Sequence, residues 1–367
     1  MDQDSFIESV NNVKGIRESE PNPSFGRNSH VQQVASGRHS ASARKLNKLN
    51  TRKNALRIAT WNVRTLYQKG KIDNVNQEMD RMNLNILGLA EVRWKGAGSI
   101  RIGKKTLIYS GGDKHERGTG ILFDELTAKS LKSWCPISDR VVVAKLEAKP
   151  LNLGIIQVYA PTSESEVEEV EKFNEEIEKA KSYLWSQDIK MVMGDFNAKV
   201  GDERVDDVVG PRGTGKQNER GNRLIEWCQM NDFTITNTWF QNHPRRQWTW
   251  MSPGDRTGNK IDFILIEKRF RNSVKTSKSL PRADCNSDHV PVMCKLQIKL
   301  KKCKKAKIHP KFQMDLLKSD EELRDRINVA VKNKYESINN ITEVEELWTK
   351  MKESLDEVMH EHIPKKE

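Results

Sequence analysis

The sequence predicts an α+β fold in which two mixed β-sheets pack together with helices on the outside. Between residues 55 and 298, short apolar strands alternate with three amphipathic helices, and several strands follow one another without a helix between them. A doubly wound sheet would need a helix after almost every strand, and an all-β sandwich would have none. The mixture of connections therefore favours layered mixed sheets.

Hydrophobic spacing places each element along the chain. Short apolar runs predict strands at 55–61, 85–91, 106–110, 120–123, 140–146, 153–159, 190–194, 233–236, 247–250, 260–266 and 290–298. Apolar residues at helical spacing predict three helices, marked by Ile72, Val75, Met79 and Met82, then Val170, Phe173, Ile177, Ala180 and Leu184, then Leu224, Ile225 and Cys228.

Composition limits the chain to one sizeable core with polar flanks. Its 367 residues are 36% hydrophobic, and adding the 21 glycines still leaves the apolar share below the roughly 45–50% of average globular chains, while the charged share is 31% against the usual ~25%. No apolar run approaches the roughly 18–20 residues of a membrane span, and the N-terminus lacks the apolar stretch of a secretory signal. The five cysteines show no zinc-ligand spacing and are expected as reduced thiols. We therefore expect a soluble protein with no membrane partner.

The net charge of +12 is concentrated in the flanks. Residues 1–54 carry nine basic and five acidic side chains, and their polar composition predicts a disordered basic arm before the domain at 55–298. Residues 299–311 carry seven basic and no acidic side chains, which fits a phosphate-binding or nuclear-import segment and equally a solvated linker. Residues 312–367 contain two capping-box sequences before apolar residues at helical spacing, which predicts a helical appendix.

A glycine-rich segment, Gly210-Pro-Arg-Gly-Thr-Gly-Lys216, has the spacing of a phosphate-binding loop. The next residue is Gln217, where such a loop has the Ser or Thr whose hydroxyl binds magnesium, and no clear buried strand leads into it. We interpret the segment as a surface loop before the third helix.

Polar residues at the ends of apolar strands carry the functional signal. Asn62, Glu91 and Tyr159 each end a predicted strand, and Asp195 and Asn197 end a fourth. Strand ends are where a rigid scaffold presents catalytic groups. Each residue alone has an ordinary explanation as a turn, a cap or a core aromatic, but the ordered set indicates a catalytic site.

Asp262 differs because it lies inside the apolar strand Ile261–Leu265. An unpaired carboxylate there would cost several kcal/mol, so a buried partner is expected. Asp288 and His289 follow in the sequence, and His289 is the partner we predict. A carboxylate bonded to one imidazole nitrogen leaves the other nitrogen directed at a substrate.

These motifs resemble the magnesium-dependent endonuclease/exonuclease/phosphatase superfamily, which includes deoxyribonuclease I and apurinic/apyrimidinic endonucleases. The resemblance covers residues 55–298 and implies a four-layer α/β/β/α sandwich that hydrolyses phosphodiesters. It is greatest to the endonuclease domains of RTE-type non-LTR retrotransposons and to craniofacial development protein 2-like proteins, and the helices after Lys311 are similar to the spacer that precedes reverse transcriptase there. The motifs are Ala59-Thr-Trp-Asn-Val-Arg-Thr-Leu66, Ala90-Glu-Val-Arg-Trp94, Gly194-Asp-Phe-Asn-Ala198 and Lys260-Ile-Asp-Phe-Ile264.

The resemblance implies a magnesium site, with Mn²⁺ as a substitute. Glu91 is expected as the principal ligand, since a carboxylate oxygen suits an ion that keeps most of its waters. Asp288 would add a second acidic contact, directly or through water. Asn62 would support the metal ligands or hold the phosphate.

The same resemblance implies the catalytic roles. Asp195 is expected to orient and deprotonate the attacking water, and Asn197 to fix the scissile phosphate. The pair Asp262 and His289 would stabilise the developing negative charge, and Tyr159 would donate a hydrogen bond to a phosphate or leaving oxygen. Three candidates for protonating the leaving group stay open: a metal-bound water, Tyr159 and His289.

Basic and aromatic residues beside these motifs predict contact with DNA. One departs from the repair-type pattern: apurinic endonucleases have an acid two residues after the motif asparagine, and this chain has Arg64. For Trp248 and Trp250, ordinary strand packing is the alternative, and we expect it to hold for one of them. The predicted DNA-binding residues are Arg64, Arg93, Arg245, Arg246, Trp248 and Lys260.

The leading hypothesis is a retrotransposon-derived, magnesium-dependent endonuclease that nicks DNA in the nucleus or cytoplasm, with a reverse transcriptase as a possible partner in trans. A phosphatase or phosphodiesterase acting on lipid, inositol or RNA is the first alternative. A catalytically silent protein that binds DNA or chromatin is the second. All the residues of the catalytic set are present, which favours activity.

Overall fold

The computed structural model describes residues 48–252, 258–298, 312–338 and 341–365. They fall into two compact units, one ending at residue 298 and the other beginning at residue 312. The first unit contains two large mixed sheets, and the second contains helices. Strands and helices are numbered here in chain order.

The first sheet has seven strands. In spatial order they are β16 (Val274–Ser279), β17 (Val292–Leu296), β2 (Leu56–Asn62), β3 (Ile86–Ala90), β6 (Thr119–Phe123), β5 (Lys105–Ser110) and β4 (Ala97–Ile102). Within this sheet, β2 and β3 are parallel and the other neighbours are antiparallel. Helix α1 (Lys71–Arg81) connects the parallel pair, since parallel strands need a crossover.

The second sheet has six strands. In spatial order they are β12 (Phe233–Ile235), β15 (Asp262–Glu267), β11 (Ile189–Asp195), β10 (Leu153–Tyr159), β8 (Val141–Leu146) and β7 (Leu131–Pro136). Here β10 and β11 are the parallel pair, and helix α3 (Val167–Ser182) connects them. Each sheet therefore contains one βαβ unit.

Three buried clusters form the core. The middle cluster lies between the two sheets and includes Ile58 and Val292 from one sheet and Met193 and Ile264 from the other. A second cluster packs α3 and α4 (Glu219–Met230) against the six-stranded sheet, and a third packs α1 against the seven-stranded sheet. The predicted α+β fold, a four-layer α/β/β/α sandwich of two packed mixed sheets, is confirmed.

Shorter elements complete the first unit. Helix α2 (Glu125–Ala128) begins at Asp124, whose carboxylate accepts a hydrogen bond from the Thr127 backbone. Two small ribbons pair β1 (Leu49–Asn50) with β9 (Ala148–Lys149) and β13 (Trp250–Met251) with β14 (Gly258–Asn259). Short 3₁₀ helices lie at Thr236–Thr238, Pro244–Arg246 and Lys268–Ser273.

Three strands that the sequence analysis missed all lie at sheet edges. They are β4 and β16, on opposite edges of the seven-stranded sheet, and β7 on an edge of the other sheet. Edge strands carry polar residues that prevent further pairing, so their apolar pattern is weak. The predicted strand at 247–250 was mostly wrong: only Trp250 is in a strand, because Arg246 and Gln247 end a 3₁₀ helix instead.

The predicted disordered arm overlaps the described chain only at residues 48–54. There the prediction was wrong, because β1 pairs in parallel with β9 and the Thr51 side chain is fully buried, donating to the Lys149 carbonyl oxygen. The rest of the arm and the polybasic segment at 299–311 lie outside the described residues.

The second unit contains helices α5 (Leu316–Ser319), α6 (Glu321–Glu336) and α7 (Val344–His362). Asp320 caps α6, because its carboxylate accepts a hydrogen bond from the Leu323 backbone. Leu323 and Val358 are among its buried residues. Within the described residues, no helix has both the length and the apolar composition to cross a membrane.

A buried ion pair anchors the end of the sandwich where β11 begins. Lys145 Nζ lies 2.7 Å from Asp188 Oδ2, and the two side chains are 5% and 0% exposed. Asp188 also accepts hydrogen bonds from the Asn152 side chain and the Trp185 backbone. We predict that Lys145→Met lowers the free energy of unfolding by about 3–5 kcal/mol, because it leaves a buried carboxylate without its cation. Urea denaturation measures this.

The matched control is Lys129→Met, which removes an exposed pair with Glu125 and should leave the midpoint of urea denaturation nearly unchanged. Adding Asp188→Asn to Lys145→Met should restore part of the lost free energy of unfolding, because it removes the unpaired buried charge. Equal destabilisation by the two lysine substitutions would contradict the prediction.

Candidate functional site

The polar strand ends predicted from the sequence meet at one edge of the sandwich. β2 ends at Asn62, β3 leads directly into Glu91, and Tyr159 and Asp195 are paired neighbours at the ends of β10 and β11. Asp195 is also paired with Asp262 on β15. Side chains of paired residues point to the same face of a sheet. The second sheet therefore presents Tyr159, Asp195 and Asp262 side by side.

Asn62 bridges the two sheets. Its side-chain Nδ2 donates to Glu91 Oε1 and to Asp195 Oδ2, each at 2.9 Å. Its Oδ1 accepts a hydrogen bond from the Arg64 backbone, also at 2.9 Å. The amide oxygen keeps a second lone pair, so its part in a metal site stays a prediction. The contacts of the amide nitrogen make Asn62 a residue that positions the two carboxylates.

Glu91 lies in a tight turn after β3. Its backbone φ is 56°, and that of Arg93 is 58°. Arg93 Nη2 lies 2.6 Å from Glu91 Oε2, so the second carboxylate oxygen faces a cation. Burial, with the nearby carboxylates of Glu91 and Asp195, raises the pKa of the Tyr159 phenol far above the usual range. Tyr159 is therefore a neutral hydrogen-bond donor at any physiological pH.

Asp288 lies beside a tryptophan and an arginine. Its Oδ2 accepts a hydrogen bond from Trp250 Nε1 at 3.1 Å, and Arg64 Nε is 3.6 Å from its Oδ1. That Oδ1 is buried and accepts no hydrogen bond from the described residues. Trp250 lies outside the predicted site residues, although ordinary packing is expected for only one of Trp248 and Trp250.

His289 lies between two buried aspartates. Its Nδ1 is 3.0 Å from Asp262 Oδ2, and its Nε2 is 3.9 Å from Asp195 Oδ2. The predicted pairing of Asp262 with His289 is therefore present. Burial lowers the pKa of His289, but the carboxylates of Asp262 and Asp195 outweigh it and raise that pKa to about 9. Burial and the neighbouring Asp262 raise the pKa of the Asp195 carboxyl well above its usual range.

Asn197 is held beside Asp195. Its backbone N–H donates to Asp195 Oδ1 at 3.0 Å, and its Nδ2 donates to the Ala160 carbonyl at 2.9 Å. Gly194 permits the close strand packing here, because a Cβ at that position would lie 1.9 Å from the Val158 carbonyl oxygen. The amide of Asn197 is thus fixed in orientation at the edge of the site.

Three residues outside the predicted set hold these loops in place. Thr249 Oγ1 accepts hydrogen bonds from the Ile261 and Asp262 backbones, at 3.0 and 3.1 Å. Ser287 Oγ donates to the Asn62 carbonyl at 2.7 Å, and Lys71 Nζ donates to the Asn286 carbonyl at 3.3 Å. Ser287 and Thr249 adjoin the predicted residues Asp288 and Trp248, but the sequence does not indicate the backbone contacts that they or Lys71 make.

Comparison with known proteins agrees with this geometry. The model of a family described as endonuclease-reverse transcriptase matches residues 153–293. Craniofacial development protein 2 of Bos taurus is 40% identical over 245 residues, which are 66% of this chain and 41% of the bovine protein. The predicted resemblance to the endonuclease/exonuclease/phosphatase superfamily is therefore confirmed. It spans about two fifths of the length of this relative.

Solved structures of two endonucleases share the fold. The endonuclease domain of TRAS1, a telomere-specific non-LTR retrotransposon, matches with a TM-score of 0.50 and 13% identity, covering 67% of this chain and 100% of that domain. The AP endonuclease LMAP from Leishmania major matches with a TM-score of 0.50 and 13% identity, covering 67% of this chain and 89% of its own. At these identities the likeness shows the fold alone.

The site has the chemistry to bind a divalent metal, as expected in this superfamily. Asp195, Asp262 and His289 each bring a potential ligand atom within 4.8 Å of the others. Two buried carboxylate oxygens, Asp262 Oδ1 and Asp288 Oδ1, have no hydrogen-bond donor among the described residues. Oxygen donors of this kind suit a hard cation such as Mg²⁺. The residues present therefore fit the metal that the superfamily implies.

Most of the predicted DNA-binding residues lie where a ligand can reach them. Arg64 and Arg93 have 57% and 40% of their side-chain surface exposed, and Arg245 and Arg246 are exposed on a short 3₁₀ helix. The half-buried Trp248 packs over Gly258, where a Cβ would lie 2.5 Å from the Trp248 side chain.

The burial of Lys260 contradicts its prediction as a DNA-binding residue. Lys260 is 5% exposed, its Nζ donates to the Arg212 and Asn237 carbonyls, and burial lowers its pKa to about 8. Its ammonium therefore binds the backbone of the segment at 210–216 in the protein interior, where DNA does not reach it.

The charge on His289 can be tested directly. The pKa is raised from 6.5 to about 9, so its stabilisation of the fold is fully present below pH 6.5 and is lost as the pH rises through about 9. We predict that Asp262→Asn lowers the pKa of His289, because the neutral amide no longer offsets the effect of burial as the carboxylate does. Imidazole ¹⁵N NMR titration measures it. An unchanged His289 titration in the variant would refute the coupling.

Proposed function

We propose that this chain is a divalent-metal-dependent endonuclease that hydrolyses a phosphodiester bond in duplex DNA, with Mg²⁺ as the metal and Mn²⁺ as a substitute. The observation that supports it most is the position of Asn62, which holds Glu91 from one sheet beside Asp195 from the other. A metal-ligating carboxylate and a catalytic carboxylate are thereby fixed in register. Membership of a superfamily of hydrolytic nucleases and phosphodiesterases supports the reaction class.

Glu91 and Asp288 would hold the metal in place of the cluster of Asp195, Asp262 and His289, because an imidazole protonated on both nitrogens has no lone pair for a metal. The bound ion would neutralise charge on the scissile phosphate and polarise it as a Lewis acid. The cations Arg93 and Arg64 now face these carboxylates, with the Arg93 contact at 2.6 Å and the Arg64 contact at 3.6 Å. With 57% and 40% of their side-chain surface exposed, Arg64 and Arg93 are also accessible to DNA phosphates.

Asp195 is the proposed general base. Its raised pKa brings the carboxyl closer to the operating pH, where general-base catalysis is most efficient. The hydrogen bonds from Asn62 and the Asn197 backbone fix its two oxygens. Asp195 would take a proton from water as the water oxygen attacks phosphorus.

His289 and Tyr159 are the proposed donors. With both ring nitrogens protonated, His289 gives Nδ1–H to Asp262 and leaves Nε2–H on the side of Asp195, where the phosphate charge develops. As the bond between phosphorus and the leaving oxygen breaks, that oxygen takes a proton from His289 or from the Tyr159 phenol. Asn197 would orient the scissile phosphate.

The exposed Arg245 and Arg246 would bind the phosphate backbone beside the site, together with Trp248. The motif resemblance to retrotransposon endonucleases supports an origin in such an element and a target in nuclear DNA. A reverse transcriptase acting in trans is the partner that this origin would require.

The first test is the conversion of supercoiled plasmid to open circle in Mg²⁺. We predict nicking by the purified chain, and a loss of at least about 100-fold for Glu91→Gln and for Asp195→Asn, in line with the contribution of general bases and buried charges. Glu164→Gln, at an exposed carboxylate beyond β10, should retain full activity.

The outcomes separate the alternatives. Equal nicking by the wild type and both active-site variants would refute the proposal. Hydrolysis of inositol or lipid phosphates or of RNA, with no plasmid nicking, would assign the other substrate class. DNA binding without any hydrolysis at saturating Mg²⁺ would identify a silent binding protein.

A second prediction concerns Asn62→Ala. The hydrogen bond from Asn62 lowers the pKa of Asp195, so its removal should raise that pKa and move the ascending limb of the pH–rate profile to higher pH. At neutral pH we expect a loss of about tenfold or more, because a hydrogen bond to a charged group is worth about 1.5–3 kcal/mol. A uniform loss at all pH values would contradict the role assigned to Asn62.

A further inference from the structure

The structure carries a group of basic side chains away from the catalytic edge. We propose that the outer face of the seven-stranded sheet, at its β16 edge, is a second contact surface for the phosphate backbone of duplex DNA. This edge patch consists of Arg57, Arg246, Lys278 and Lys295. The proposal rests on the proposed DNA endonuclease function and extends the DNA footprint beyond the cleavage site.

Strand register places three of the four on one face. Lys278 on β16 pairs with Met293 on β17, which pairs with Ala59 on β2. Lys295 pairs with Arg57 two residues further along the same strands. Residues two apart share a face of a sheet, and Met293 and Ala59 belong to the cluster packed against α1. The three cations therefore lie on the outer face and not between the sheets.

Arg246 connects this face to the catalytic edge. Asn242 Nδ2 donates to the Ser277 carbonyl at 2.8 Å, which ties the segment before the 3₁₀ helix at Pro244–Arg246 to strand β16. Along the other strand, Lys295 is six residues after His289, so it lies within roughly 20 Å of the catalytic histidine at about 3.3 Å per residue. Half a turn of duplex DNA, about 17 Å, spans a comparable distance.

The edge patch has no acidic partner. Among the described residues, none of its four cations forms an ion pair with a carboxylate. The pKa of Lys278 is lowered by burial and then by Arg246 and Arg57, so these three cations are close enough to repel one another. Arg57 is held in place by a hydrogen bond from its Nη1 to the Met82 carbonyl. Clustered cations on rigid strands suit a polyanion with regularly spaced charges.

The test compares DNA binding by the full chain and by the double variant Lys278→Gln/Lys295→Gln. Affinity for a 40-base-pair duplex of arbitrary sequence is measured by fluorescence anisotropy in EDTA at several NaCl concentrations. Each phosphate contact contributes about 0.9 to the slope of log K against log salt, so the slope should become shallower by about 1.8. The affinity at low salt should fall at least about tenfold.

The matched control is Lys104→Gln, at an exposed lysine in the turn between β4 and β5 on the opposite edge of the same sheet. It should leave both the affinity and the slope unchanged. The turnover rate of plasmid nicking at saturating DNA should be the same for all three proteins, because the edge patch touches no catalytic residue.

Equal slopes of log K against log salt for the wild type and the double variant would overturn the proposal that the edge patch binds DNA, even if the plasmid is nicked. A change in slope without any nicking would support the edge patch and refute the proposed cleavage function, so the two failures are distinguishable. Tighter binding of poly-glutamate than of DNA, lost in the double variant, would assign the surface to an acidic protein and overturn the proposal.

Discussion

The side-chain amide of Asn62 is the contact on which the site depends. It is 1% exposed and donates to one carboxylate from each sheet. Two carboxylates this close would repel each other in a buried setting, and the shared amide offsets that repulsion with two charge-assisted hydrogen bonds. Because the amide is attached to the last residue of a central strand, the distance between the sheets also fixes the distance between Glu91 and Asp195. A change in the packing between the two sheets would therefore also change the geometry of the site.

The two βαβ units explain why the groups meet. In each sheet the parallel pair has both carboxyl ends at the same edge, and the antiparallel neighbours bring in residues from elsewhere in the sequence. The first sheet contributes Asn62 and Glu91, and the second contributes Tyr159, Asp195 and Asp262. His289 comes from the loop before β17 and closes the gap, with its ring between two aspartates. Each sheet alone would present half a site.

The sequence allowed the layered fold and the main polar groups of the site to be predicted, because central strands are continuous apolar runs that end in polar residues. It did not allow β4, β7 and β16 to be predicted, since edge strands such as Val274–Ser279 are polar by necessity. Residues that act through tertiary contacts also escaped. Thr249 is an ordinary threonine until Asp262 pairs beside it, and Lys260 looks like a surface cation until its ammonium is seen among backbone carbonyls. Burial and partners of this kind depend on contacts between distant segments.

The two ends of the chain segment that forms the sandwich lie side by side. Ile298 N–H donates to the Thr51 carbonyl at 3.0 Å, and the Gln297 side chain donates to the Arg52 carbonyl at 3.2 Å. Both contacts lie where β2 begins and β17 ends, at the opposite end of these strands from Asn62. The two ends of the described sandwich therefore lie together, at the far end of these strands from Asn62. A domain whose ends meet in this way is readily inserted into longer polypeptides or exchanged between them.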